Sequence, residues 1–297
     1  MATDVVLTRW RTESALHETA VRAAYGAARP AVRGYVGYEE LLAGRMSRRE
    51  VARLGVALIL AFGDALDVHD AGRGSIRSFR AFVLGNQSRS SLTEFGGHQH
   101  GVQVELTPPA ARALFGNVGE LNDVAVAVAV DEAMGSRGVR LVERVGEAAT
   151  WEERFSVLDE TFGALARTPP GKIAPEVEWM RRQLVRSGGR ARVVPLMDAT
   201  GWSRRVVTER FRTQLGVAPK MFARIVRFQR AAAMLQEPHH GRTIADVAVE
   251  CGYYDQSHLT REFSVLAGRP PGVVLAESTG QPSVRFLQDD EMRGAVP

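Results

Sequence analysis

TERFRTQLGVAP (208–219) and TREFSVLAGRPP (260–271) are two versions of one stretch, sharing Thr208/Thr260, Phe211/Phe263, Gly216/Gly268 and Pro219/Pro271 at an offset of 52 residues. Upstream, Gly201-Trp202 lines up with Gly252-Tyr253 at an offset of 51, so the second copy carries one extra residue in its turn. A supersecondary unit repeated at this distance is far more specific than either copy alone.

Each copy has the pattern of a helix-turn-helix. In the second, Ile244, Val247 and Ala248 share one helical face behind Thr243 as cap. Gly252 then supplies a sharp turn. The stretch from Asp255 to Phe263 opens a further helix with Leu259 and Phe263 inward and Gln256, Ser257, His258 and Arg261 outward. The first copy runs Val193, Val194, Leu196 and Met197, then Gly201, then Ser203 as cap of a helix with Val207 and Phe211 inward. Its outward set is Arg204, Arg205, Thr208, Glu209 and Arg212. One such hairpin could be a pair of amphipathic helices with a solvated face. Two of them, presenting residue types that read base edges and phosphates, point to DNA. Two similar helices on one rigid body can enter successive major grooves. Between the copies, PKMFARIVRFQRAAAMLQ (219–236) places apolar residues every three or four positions, which predicts a long amphipathic helix that sets the spacing of the readers. Pro219 suits its first turn, and Pro238 and Gly241 stop it.

The stretch from about 173 to 276 resembles the DNA-binding domain of the AraC/XylS family of bacterial transcription regulators. The residues that carry the likeness are GWSRR…FR..LG..PK from Gly201, the linker segment with Arg227, Gln229, Arg230 and Ala231, and IADVA..CGYYDQSHL.REF from Ile244. The resemblance implies a monomeric unit of two helix-turn-helix motifs on a long helix, bound along one face of double-stranded promoter DNA. By position it implies base contacts from Arg204, Arg205, Thr208 and Glu209, and from Gln256, Ser257, His258 and Arg261. Glu209 departs from the basic or amide residues common there: it reads a cytosine amino group or accepts a bond from Arg205.

Charge is distributed accordingly. Residues 172–275 hold 17 Lys and Arg against 9 Asp and Glu, whereas residues 1–171 hold 19 against 21. A basic C-terminal part behind a slightly acidic one fits a DNA-binding half and a half with another task. With 297 residues the chain is long enough for two cores. It contains no run long and apolar enough to span a membrane, and Met1 is followed by a mixed, charged segment rather than a signal peptide. The single cysteine, Cys251, excludes an intrachain disulfide and fits the cytoplasm; just before the turn glycine, it reads as a buried helix position rather than a redox sensor.

The first 171 residues change character partway. Short β-rich runs, VALILAF (56–62), SIRSFRAFVLG (75–85) and GVQVEL (101–106), alternate with Gly-containing turns and predict a small barrel or sandwich. Helices follow over 108–116, 137–146 and 150–167, the last with Thr150 and Glu153 as a capping box. Residues 167–171 read as a linker, and 175–189 as the helix that opens the next domain. The expected fold is multidomain α+β, with an N-terminal cupin-like β-barrel plus helices implied by the resemblance, and an all-α C-terminal domain. The predicted division is 1–171 for effector sensing or dimerisation, 172–276 for DNA binding with reader units at 193–213 and 243–264, and 277–297 for a flexible tail.

His98, His100 and Glu105 match the H-x-H-x4-E spacing of metal-binding cupins, although Leu92 and Arg112 stand where those proteins have glycine. The bland reading is two strand or loop histidines beside a Gly-rich turn. There is no phosphate-binding loop, no nucleophile elbow and no cysteine in the N-terminal part to act as an alkyl acceptor. The expectation is therefore a cytoplasmic regulator, an activator and not an enzyme, with no cofactor and no membrane partner. RNA polymerase, a small-molecule effector and a second copy of the chain are its further expected partners. A metal-dependent cupin enzyme or metal sensor fused to a DNA-binding domain is the alternative.

Overall fold

The computed structural model of the chain describes residues 5–12, 15–70, 74–124, 127–167, 172–236 and 243–273. The strands before the mid-chain glycine turns are β1 (Val6–Arg11), β2 (Ala15–Ala23), β3 (Val32–Leu42), β4 (Met46–Glu50), β5 (Val56–Ala61) and β6 (Leu66–Asp70). After them come β7 (Ser75–Phe79), β8 (Phe82–Leu84), β9 (Ser91–Phe95), β10 (His98–Leu106) and β11 (Ala127–Ala129). They form a seven-stranded sheet in the order β1-β2-β3-β10-β5-β8-β11 and a four-stranded sheet in the order β4-β9-β6-β7. Neither sheet closes on itself, so the N-terminal body is a sandwich of open sheets and not the closed barrel expected from the resemblance.

The larger sheet is covered on both faces at β5, where every residue of VALILA is buried. Its even-numbered residues, Val56, Leu58 and Leu60, join Val102, Val104 and Leu106 of β10 in a core shared with helices. Ala57 and Ile59 face the smaller sheet, where Val68 and Phe79 meet Phe82. The covering helices are α1 (Pro108–Phe115), α2 (Val118–Val124), α3 (Val130–Met134), α4 (Ser136–Glu147) and α5 (Trp151–Arg167). The capping box of α5 is formed: the Glu153 amide donates to Thr150 Oγ1 at 3.2 Å and the Thr150 amide to Glu153 Oε2 at 3.2 Å. Trp151, Phe155, Leu158 and Phe162 are buried against the sheet, as their spacing predicts. Asp159 fixes the same helix to β2 and β3, accepting from Arg22 and from the Tyr35 hydroxyl at 2.8 Å.

The C-terminal body consists of α6 (Pro175–Arg186), α7 (Val193–Ala199), α8 (Arg204–Leu215), α9 (Pro219–Gln236), α10 (Ile244–Glu250) and α11 (Gln256–Leu266). Met180, Phe211, Phe228, Leu259 and Phe263 are fully enclosed in its core, together with Cys251. Of the expected linker at 167–171, Arg167 ends α5, while residues 168–171, the stop at Pro238 and Gly241, and the tail at 277–297 lie outside the described residues.

The alternative trio of His98, His100 and Glu105 is not assembled. Side chains alternate along a strand, so the odd-numbered Glu105 points to the face of β10 opposite the two histidines. Its carboxylate accepts from Arg53 at 2.6 Å and from Gln103 Nε2 at 2.7 Å, in a pair with both partners buried. Stripping one partner from such a pair costs about 3–5 kcal/mol, which keeps Glu105 out of any metal site. The H-x-H-x4-E spacing places its carboxylate an odd number of residues from the histidines, and so on the other face of a continuous strand.

Candidate nucleic-acid interface

In the first unit, α7 ends at Thr200, Gly201 turns the chain at φ +74°, and Ser203 caps α8 by accepting from the Val206 amide at 3.4 Å. Val207 and Phe211 are buried, and the Phe211 ring meets Phe222 edge-on at 5.4 Å. Arg204, Arg205, Glu209 and Arg212 lie on the exposed side, with Thr208 half-buried. These residues are not equivalent. Arg204 forks onto Asp198 through two bonds of 3.0 Å, stapling α8 back to α7, and its guanidinium lowers the Asp198 carboxyl below its ordinary pKa. The Thr208 hydroxyl donates to the Arg204 carbonyl at 2.8 Å. Arg205 and Glu209 form no ion pair with each other among the described residues, and their side chains project from the helix.

In the second unit, α10 carries a full capping box: Asp246 N donates to Thr243 Oγ1 at 3.2 Å and Thr243 N to Asp246 Oδ2 at 2.8 Å. Gly252 turns the chain at φ +76°, and Asp255 caps α11 by accepting from the His258 amide at 2.6 Å. The turn between α7 and α8 spans Thr200 to Ser203, whereas that between α10 and α11 spans Cys251 to Asp255. The additional residue is Tyr254, and it is 91 % exposed. Sequence reading passed it over as a reader, although the shift in repeat offset from 51 to 52 pointed at this position.

Gln256, Ser257 and Arg261 are exposed, and His258 is half-buried. The His258 ring sits edge-on to Tyr253 at 5.3 Å, and its Nδ1 accepts from the Tyr254 amide at 3.4 Å. That bond places the proton of a neutral ring on Nε2, which leaves His258 both a brace for the turn and an outward donor. Burial, the dominant influence, pushes the Cys251 thiol up to about 11, as expected of an inert structural cysteine.

The long helix α9 holds the two units together. Phe222, Ile225, Phe228, Ala231 and Leu235 are buried along it. Arg224 grips Glu262 of α11 in a fork of 2.8 and 3.0 Å. Arg227 reaches the turn itself, donating to the Gly252 carbonyl at 3.4 Å with its guanidinium over the Tyr253 ring.

The N-terminal body touches both readers at their C-terminal ends. The amides of Ala52 and Ser90 donate to the carbonyls of Leu266 and Val265 at 2.7 and 3.4 Å. Asn86 Nδ2 donates to the Leu215 carbonyl at 3.0 Å and Arg112 to that of Thr213 at 3.4 Å. The first reader is also flanked along its side: α2 packs on α8, and a groove between them is lined by Asn117, Gly119, Arg205, Thr208, Glu209 and Arg212. A separate apolar cavity lies between the two bodies, bounded by Val56, Leu106 and Ala111 on one side and by Val185, Phe222 and Val226 on the other, with Arg33 and Arg181 at its wall. Among the described residues no helix is long and apolar enough to cross a membrane.

Residues 196–277 match the family model described as a helix-turn-helix domain. The HTH-type transcriptional activator RhaR of Klebsiella pneumoniae subsp. pneumoniae is 35 % identical over 75 residues, which cover 25 % of this chain and 26 % of that protein. The chain thus spans about a quarter of the length of the curated relative it matches. Among solved structures, ToxT of Vibrio cholerae aligns over 80 % of this chain and 97 % of its own, with 13 % identity and a TM-score of 0.45. The AraC-like transcriptional activator CuxR aligns over 84 % and 91 %, with 11 % identity and a TM-score of 0.34. Residues 196–277 are thus similar to the helix-turn-helix part of HTH-type transcription regulators.

Proposed function

We propose that this protein is a cytoplasmic transcription activator that binds an asymmetric promoter element through α8 and α11, while the N-terminal body senses an effector or pairs with a second copy. The observation that carries this reading is the pair of capped helices with exposed polar faces, held by one continuous helix. In the first reader, Arg205 and Glu209 present the free recognition groups, and Arg204 and Thr208 support them. In the second, Gln256, Ser257 and Arg261 read, and His258 both braces and donates. Glutamine bidentate to adenine and arginine bidentate to guanine are the contacts these side chains make best. Residues 172–276 are the DNA-binding domain and 277–297 a tail. The N-terminal sandwich is a cupin-like barrel left open, and the cavity between the bodies is where an effector would alter their joint. RNA polymerase is the partner through which promoter-bound protein activates.

The test begins with sites located genome-wide, followed by anisotropy titrations on the recovered element. Gln256→Ala and Arg261→Ala are each expected to weaken specific binding by about 1–3 kcal/mol. Exchanging the order of the two half-elements should abolish high affinity, because two unlike readers make the site directional. Unchanged affinity and sequence preference in both substitutions would refute the assignment of α11.

A further inference from the structure

Where Glu105 turned away from the histidines, a different carboxylate has taken its place. Glu39 of β3 lies directly across from His100 in the antiparallel register, on the same face of the sheet. The ligand atoms of Glu39, His98 and His100 all fall within 4.8 Å of one another. His98 Nε2 is 2.9 Å from Glu39 Oε1, and the two imidazoles stack with centroids 5.6 Å apart. We propose that Glu39, His98 and His100 form a binding site for one borderline divalent transition ion, of the Zn(II) or Fe(II) class.

Two imidazoles and one carboxylate with open positions are a donor set suited to such ions. In a tetrahedral site, donors at ordinary zinc distances sit roughly 3.3 Å apart, so the cluster needs small rotamer adjustments and no backbone movement. The backbone is also held. The Phe62 amide donates to the His100 carbonyl at 2.7 Å, the Asp64 amide to that of His98 at 2.8 Å, and the His98 amide to Asp64 Oδ2 at 2.9 Å. Rigid support of this kind is what an ion site requires.

A second observation concerns His100 alone. Its Nε2 is buried without a hydrogen-bond partner, which is costly for an imidazole nitrogen unless something binds it. Phe62 and Trp151 stand edge-on to the ring at 5.4 and 5.5 Å and wall the site on its inner side. The Arg154 guanidinium lies over the Phe62 and Trp151 rings that wall the site. Arg154 opposes a cation electrostatically. Against it stand Glu39 itself and Glu18, the cross-strand neighbour of Glu39, although Glu18 also pairs with Arg9. The side chains of His98 and Glu39 remain 47 % and 44 % exposed, so the outer coordination positions face solvent and an exchangeable ligand can reach the ion.

The experiment uses the full chain, stripped with chelator and titrated with Co(II) as a spectroscopic substitute and with Zn(II) by calorimetry. One equivalent is expected, with d–d absorption bands that show nitrogen ligation. His100→Ala and the isosteric Glu39→Gln should each weaken binding at least tenfold, whereas His69→Ala, which removes a histidine facing Glu94 on the smaller sheet, should leave it intact. Unfolding temperature without metal checks that each variant is folded. No saturable binding up to millimolar metal, or equal affinity in wild type and Glu39→Gln, overturns the proposal. Because the readout is the ion itself, the outcome is separate from whether the protein binds DNA.

Discussion

The residue that opens α8, Arg204, is bound at both ends of its fork to Asp198, whereas the first turn of α11 presents Gln256 and Ser257 with their side chains outward. The first reader is flanked by α2 of the N-terminal body, and its turn is one residue shorter. The second has a longer turn that displays Tyr254, is braced by His258, and is gripped from behind by Arg224 and Arg227 of α9. Two copies of one motif therefore differ in what holds them. One is packed along its side by α2 of the N-terminal body. The other is stiffened from within its own domain and leaves its reading face open.

The largest effect should separate the two turns. Both glycines sit near φ +75°, but a Cβ at Gly252 would lie 2.9 Å from the Arg190 side chain, while one at Gly201 meets nothing within 4 Å. Gly252→Val should cost about 2–3 kcal/mol in urea unfolding and Gly201→Val less, since only backbone strain acts there. Equal costs would show that the turns are energetically alike.

Next comes the contrast in readout. Arg261→Ala is expected to weaken specific binding by about 2 kcal/mol and to relax the preference at one base pair. Arg204→Ala should leave base preference unchanged and affect binding through the loss of the staple to Asp198. A binding-site selection on both variants decides it: a base preference lost with Arg204 would return that residue to the readers.

A smaller effect belongs to Tyr254. Its position beside the N-terminus of α11 suits a phosphate contact. Tyr254→Phe should weaken binding by about 1 kcal/mol, equally on specific and unrelated sequences. The salt dependence should not change, because a phenol displaces no counterion. A sequence-selective loss would make Tyr254 a base reader instead.

The smallest effect is a silence. With its pKa pushed up to about 11, Cys251 is roughly one part in a thousand thiolate at pH 8. Folded protein should give no reaction with a chromogenic disulfide until denaturant is added. Rapid reaction in the native state would mean that the second unit opens far more readily than its packing indicates.

The reach of sequence reasoning followed the range of the interactions. The C-terminal helices, their caps and their turn glycines are local features, and Thr243, Ser203, Asp255 and the inward Phe211 and Phe263 all stand where periodicity placed them. The N-terminal sheets depend on distant partners. Strands β1 to β3 escaped notice because Arg22, Glu39 and Glu40 interrupt the apolar alternation, and β3 finds its partner β10 some sixty residues away. Glu39 was invisible for the same reason: a cross-strand neighbour is defined by register, and register follows from the assembled sheet. The staple of Arg204 to Asp198 was lost differently. Arg204 was in view, but a residue type that reads guanine well also grips carboxylate well, and only geometry distinguishes the two uses.

The hydrogen bonds described above between the N-terminal body and the ends of the reader helices terminate on main-chain carbonyls, at Thr213, Leu215, Val265 and Leu266. Every amino acid supplies that acceptor. The outer side chains of α8 and α11 can consequently change without removing any of these bonds between the two bodies.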